Sequence, residues 1–196
     1  MIDYGKLNNA IETYMSLGYE YIELPWSVEP VYSQLTKPDF CEDIPYGDEM
    51  LVGSGEQSFI QMFDRGKLSP GKYVGVTPCF RDETVFDQWH KKYFMKVELI
   101  VLTRDDDSDT HDSMLNNVLG DARTFFNKHI YNEVILTDQG YDLYSYFGIE
   151  LGSYGVRSWK DFHWVYGTGC AEPRLTSAIA LDRANKLKLH DEMRNL

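Results

Sequence analysis

The stretch KYVGVTPCFRDETVFDQWHKKYFMKVELIVL, residues 72–102, decides the reading of this chain. Its first third, opened by Pro70-Gly71, runs KYVGVTPCF; its last third, KYFMKVELIVL, is longer and more apolar. A short polar loop separates them, so the two runs are expected to pair as an antiparallel hairpin. Side chains two apart on a strand project from one face. Arg81 therefore shares a face with Glu83, and Phe94 shares one with Lys96 and Glu98. One sheet surface then carries a guanidinium fork, an aromatic plate, an ammonium and two carboxylates. Arginine suits phosphate because its guanidinium binds two oxygens at once, and an aromatic ring suits a flat base. The same alternation also describes a solvated strand face with cross-strand ion pairs. The hairpin alone leaves both readings open.

Upstream, MLVGSGE (50–56) reads as a strand entering a glycine-rich turn, with a helix behind it to about Phe63. Residues 26–48 carry Pro30, Pro38 and Pro45 and are expected to be mostly irregular. Residues 3–17 place Leu7, Ile11, Tyr14 and Met15 at helical spacing, Gly18 ends that helix, and YEYIEL alternates into Pro25 as a strand. Downstream, the acidic run RDDDSDTHDS (104–113) lacks the glycine and terminal glutamate of a calcium loop. It reads as a solvated turn in which Ser108 or Asp109 caps a helix bearing Leu115, Val118, Leu119, Ala122, Phe125 and Phe126. NEVILT is a strand, YDLYSYFGIELGSYG two strands turning at Gly148, and AEPRLTSAIALDRANKL an amphipathic helix. This order predicts an α+β fold, a mostly antiparallel sheet flanked by helices, and not an alternating βαβ domain. Neither GxGxxG nor GxxxxGK[ST] occurs, so a nucleotide site would be built another way.

At 196 residues the chain is expected to form one continuous domain, 1–196, burying roughly 70% of its unfolded surface. Three scattered cysteines do not make a disulfide scaffold and point to a reducing compartment. The apolar runs fall far short of a membrane span, and the first residues, MIDYGKLNNAIETYM, lack the pattern of a secretory leader. A soluble, cytoplasmic protein is expected. Nineteen Lys and Arg against 31 Asp and Glu, a net charge of −12, exclude a broad basic footprint on nucleic acid and leave only a local basic cleft.

The motifs together resemble a family. TPCFRDE followed by YFMKVELI resembles motif 2 of the class II aminoacyl-tRNA synthetases (about 74–102), and YGTGCAEPRLTSAIALD resembles their motif 3 (about 165–190). GYEYIELPWSV, after a helix and ending past Pro25, is similar to motif 1, the dimer-forming element (about 3–30). Within the class the likeness is to the seryl-tRNA synthetase branch. VGSGEQS occupies the place of the T-x-E loop, and GIELGSYG resembles the segment that carries a metal-binding glutamate with a serine three residues on. The resemblance implies the catalytic core that this class shares with the biotin ligases.

It also implies roles, residue by residue. Arg81 would hold the α-phosphate of ATP and the amino-acid carboxylate; Glu83 would sit at the adenine edge and Phe94 under the ring. Arg174 would cover the base from the other side and reach the γ-phosphate, and Glu150 with Ser153 would bind Mg²⁺. Ser54, Glu56, Lys96, Glu98 and Thr168 would form the amino-acid pocket, with Glu56 on the α-ammonium and Glu98 and Thr168 on a serine hydroxyl. The nucleophile of adenylation is an ionised carboxylate, so catalysis needs positioning and charge neutralisation and no side-chain base.

Several positions depart from the seryl pattern. Ser54 stands for the usual threonine, Tyr166 stands for an asparagine, and the motif 2 loop is short. The 196 residues are expected to hold the catalytic core without a coiled-coil arm or an anticodon-binding domain. Cys41, Cys79 and Cys170 form no CxxC, so zinc is not expected, and His90 is the one histidine placed near the site, in the motif 2 loop. Two functions follow. One is an amino-acid-activating, ATP-dependent ligase, homodimeric, favouring serine or another small amino acid and passing it to a tRNA end, a carrier protein or a small molecule. The other is a catalytically inactive paralogue serving as a binding or regulatory subunit.

Overall fold

The computed structural model describes residues 1–37, 41–82 and 91–194, the last six of these by their backbone only. In chain order the elements are α1 (Tyr4–Ser16), β1 (Glu20–Tyr21), β2 (Ser27–Val28), α2 (Pro30–Gln34), β3 (Pro45–Tyr46), β4 (Glu49–Leu51) and α3 (Gly55–Asp64). They continue as β5 (Gly71–Phe80), β6 (Tyr93–Thr103), α4 (Ser108–Phe126), β7 (Asn132–Thr137), β8 (Gly140–Ser145), β9 (Glu150–Trp159), β10 (Phe162–Glu172) and α5 (Arg174–Arg194). Seven strands form one sheet in the order β1-β5-β6-β10-β9-β8-β7, and β2, β4 and β3 form a small second sheet. Only the β1–β5 pair in the large sheet is parallel. The α+β expectation holds.

The β5–β6 hairpin pairs without interruption from Gly71 opposite Leu102 to Phe80 opposite Tyr93. Because the register is continuous, alternate residues keep their faces throughout. Val97 and Leu99 enter a core under α1 and α4, against Tyr14, Val118, Ala122 and Phe125. Ile100 and Leu102 are of opposite parity and enter a second core under α3, with Phe59, Ile60, Phe63, Phe162 and Trp164. Lys96 and Glu98 belong to this second face, with Glu98 at the N-terminal end of α3.

Two register shifts set the rest of the site. On β10, Thr168 pairs with Glu98 but Cys170 pairs with Val97, leaving Gly169 as the extra residue. On β9, Gly152 faces Leu143 and Glu150 faces Tyr144, leaving Leu151 as the extra residue. A bulge reverses the alternation. Leu151 and Tyr154, three apart, thus both enter the first core, and Glu150 falls on the same side as Ser153.

The structure corrects three details. β10, the most buried strand, was expected only as a glycine-rich entry to the last helix, although it lies in the middle of the sheet. Its glycines replace side chains at close approaches: a Cβ on Gly167 would lie 2.6 Å from Tyr154 Cδ1. β1 spans two residues where six were expected. The cap of α4 is Asp107, whose carboxylate accepts from Thr110 N at 3.1 Å, and not Ser108 or Asp109. Among the described residues no helix is long and apolar enough to cross a membrane.

Candidate active site

Strand parity and the two bulges bring the expected residues to one face of the sheet. At the outer end of the hairpin the Arg81 guanidinium carbon lies 5.2 Å from the centre of the Phe94 ring. The backbone holds this end closed, with Arg81 N donating to Lys92 O at 3.0 Å. A cation over a ring of this kind gains from the negative face of the π system. Glu83 and His90 lie outside the described residues.

Four residues further along β6 than Phe94, Glu98 is fully buried. Its Oε2 accepts from the Ser54 hydroxyl at 2.6 Å and sits 2.9 Å from Lys96 Nζ. Its Oε1 is buried with no hydrogen-bond partner among the described residues. Burial pushes the Glu98 carboxyl up, Lys96 pulls it down, and the nearby Glu56 charge pushes it up again, for a net rise. Ser54 caps α3, so the turn that starts this helix also supplies a donor to the pocket.

Glu56 is the second buried carboxylate. Arg157 Nη1 reaches both of its oxygens at 2.8 Å, and Trp164 Nε1 donates to Oε1 at 2.6 Å. The Arg157 guanidinium lies 4.1 Å from the centre of the Tyr166 ring. Burial opposes the charge on Arg157, and Glu56, Tyr166 and Glu98 together more than offset this, raising its pKa. Arg157 and Trp164 were missed in the sequence. The signal for Arg157 was its parity with Ser153 on one strand, but nothing in the sequence shows that α3 swings Glu56 over that strand.

Thr168 lies opposite Glu98 in the β6–β10 register, and its Oγ1 accepts from Ser153 N at 3.4 Å. Arg174 opens α5 immediately after Pro173, and its Nη1 is 3.5 Å from Glu150 Oε1. Glu150 and Ser153 offer hard oxygen donors of the kind Mg²⁺ takes. Among the described residues no group of three or more His, Cys, Asp or Glu could hold a metal ion. Glu150 and Ser153 thus offer one carboxylate and one hydroxyl to a cation and, among the described residues, no all-protein cage. The face thus carries guanidinium groups at Arg81 and Arg174, an aromatic ring at Phe94, and a buried carboxylate oxygen at Glu98 with no hydrogen-bond partner among the described residues.

This seven-stranded sheet with its helices is the fold of a class II aminoacyl-tRNA synthetase catalytic core. Among solved structures the chain is similar to the cytoplasmic serine-tRNA ligase of Naegleria fowleri in complex with AMP, with a TM-score of 0.69 and 19% identity over 88% of this chain and 46% of that one. It is equally similar to the seryl-tRNA synthetase of Pyrococcus horikoshii complexed with ATP, with a TM-score of 0.69 and 20% identity over 86% and 48%. PylSc, a pyrrolysyl-tRNA synthetase of Desulfitobacterium hafniense, aligns with a TM-score of 0.66 and 12% identity over 89% and 66%. At these identities the likeness is one of fold. The chain spans about half the length of the two seryl enzymes. No protein-family model matches the chain, and no curated protein matches it in sequence.

Proposed function

We propose that this chain activates a small amino acid, serine foremost, with ATP and Mg²⁺, forming an aminoacyl-adenylate and releasing pyrophosphate. The observation that carries this reading is the single sheet face on which Arg81 over Phe94, buried Glu98, and Arg174 beside Glu150 are aligned. The substrate carboxylate oxygen attacks the α-phosphorus, a new P–O bond forms, and the bond to the pyrophosphate oxygen breaks. Arg81 orients that carboxylate and the α-phosphate; Phe94 and Arg174 hold the base between them, with Glu83 at its edge. Glu150 and Ser153 would hold Mg²⁺, which when bound neutralises phosphate charge. Glu98 and Thr168 receive the substrate hydroxyl, and Ser54, Glu56 and Lys96 complete the pocket.

Residues 1–196 act as one catalytic unit, paired as a homodimer through the segment 3–30. The acyl group then passes to an acceptor, a tRNA end, a carrier protein or a small molecule. ATP is supported by the fold likeness to enzymes crystallised with AMP and ATP. The test is Arg81→Ala in amino-acid-dependent ATP–pyrophosphate exchange. Loss of at least about a hundredfold with unchanged circular dichroism is expected, by analogy with removal of a preorganised charge-stabilising donor. Retained exchange contradicts the phosphate role.

One observation favours a second reading, an inactive binding or regulatory subunit. Among the described residues, three carboxylates of the site already have an internal cation: Glu56 has Arg157, Glu98 has Lys96 and Glu150 has Arg174. A folded chain that neither binds ATP nor exchanges pyrophosphate would favour it.

A further inference from the structure

We infer that Arg157 is a specificity-determining residue of this pocket: it neutralises Glu56 and excludes amino acids with a cationic side chain. The inference rests on the amino-acid-activating reading above. Three observations carry it. First, Glu56 is nearly fully buried and its two oxygens are both engaged by one Arg157 nitrogen at 2.8 Å, with Trp164 on Oε1 at 2.6 Å. A carboxylate held in this way has its charge balanced inside the protein, which weakens its pull on a further ammonium and stands against the α-ammonium role expected for Glu56. Second, Arg157 is itself pinned over Tyr166 at 4.1 Å, so its charge stays in the pocket wall. Third, the Glu56 charge pushes the Glu98 carboxyl up, and the charges of Glu56 and Glu98 both favour the charged form of Arg157. The pocket is therefore one electrostatic unit in which Lys96 balances Glu98 and Arg157 balances Glu56.

In that balance the acceptor left over is Glu98 Oε1, buried and without a partner among the described residues. It calls for one donor, a hydroxyl or the α-ammonium. A second positive charge on the ligand would add to that of the partly buried Arg157 guanidinium in the pocket wall, and like charges repel. Removing Arg157 inverts this. Glu56 then becomes an uncompensated buried carboxylate, and a cationic side chain is what would pair it.

The test compares serine with 2,3-diaminopropionate, which carries an ammonium in place of the hydroxyl, in mildly acidic buffer where both its amino groups are protonated. The readout is the ratio of their kcat/KM values in ATP–pyrophosphate exchange, with the KM for ATP measured alongside. In Arg157→Met the ratio should move towards diaminopropionate by at least about tenfold while the KM for ATP stays put. Adding Glu56→Gln to that variant should return the ratio to near its original value, because both charges are then gone. Glu56→Gln alone leaves Arg157 unpaired and should shift selectivity the other way, towards aspartate over serine. It also serves as the test if Arg157→Met does not fold. Exchange with serine but an unmoved ratio in these variants overturns the role of Arg157 and leaves amino-acid activation standing. A wild-type chain that neither binds ATP by calorimetry nor exchanges pyrophosphate overturns both.

Discussion

Glu98 has Lys96 and Ser54 on one carboxylate oxygen and no described partner on the other, in a position with no solvent access. Burial raises its pKa above the usual carboxylate value, with Lys96 opposing. A carboxyl raised in the folded state binds its proton more tightly there than in the unfolded chain. Its favourable contribution is complete below the ordinary carboxylate range and is lost as pH rises through the folded pKa. Glu98→Gln mimics the protonated form and can still accept from Ser54 and Lys96. It should therefore raise the melting temperature at neutral pH, with the gain shrinking on acidification, while exchange with serine falls. A variant that melts lower than the wild type at neutral pH would contradict this account of the residue. Such an opposition of stability and use is common where a site holds a buried charge for its ligand.

At the scale of elements, the hairpin was legible because strand alternation depends only on sequence spacing and an uninterrupted register. Phe94, Lys96 and Glu98 fall on one face as that spacing requires. The bulges at Leu151 and Gly169 were not legible, since a single extra residue leaves no mark in composition. β10 was hidden because YGTGC reads only as the start of the motif 3 resemblance; its glycines serve close packing. Gly155, on the neighbouring β9, shows the same constraint: a Cβ there would lie 2.3 Å from the backbone oxygen of Gln139. Backbone cannot yield as a flexible side chain does, so Gly155→Ala should destabilise the fold by about 1–3 kcal/mol, read as a lower urea midpoint at unchanged slope. An unchanged midpoint would mean that the β8–β9 end of the sheet relaxes freely.

At the scale of the whole molecule, the sequence pattern predicted the fold class but not the sheet order, which places β10 in the middle. Of the candidate site, the strand residues could be placed in advance and the ion pairs could not, because Glu56–Arg157 joins positions 101 residues apart. The N-terminal segment exposes Tyr21, Trp26 and Val31, and Tyr46 is exposed on β3 of the small sheet joined to it through β2 and β4. Large apolar groups left in solvent fit an interface between copies. Sedimentation at micromolar concentration should give two chain masses, and Trp26→Lys should shift the species towards one. A wild-type monomer would contradict the pairing proposed for segment 3–30.

The central claim is that the aligned face activates an amino acid with ATP. It is tested most directly by ATP–pyrophosphate exchange with Mg²⁺ across the common amino acids, with no tRNA added. The account predicts exchange that depends on serine or a small neighbour and is lost in Arg81→Ala. Folded protein that binds no ATP and exchanges with none of them would contradict it.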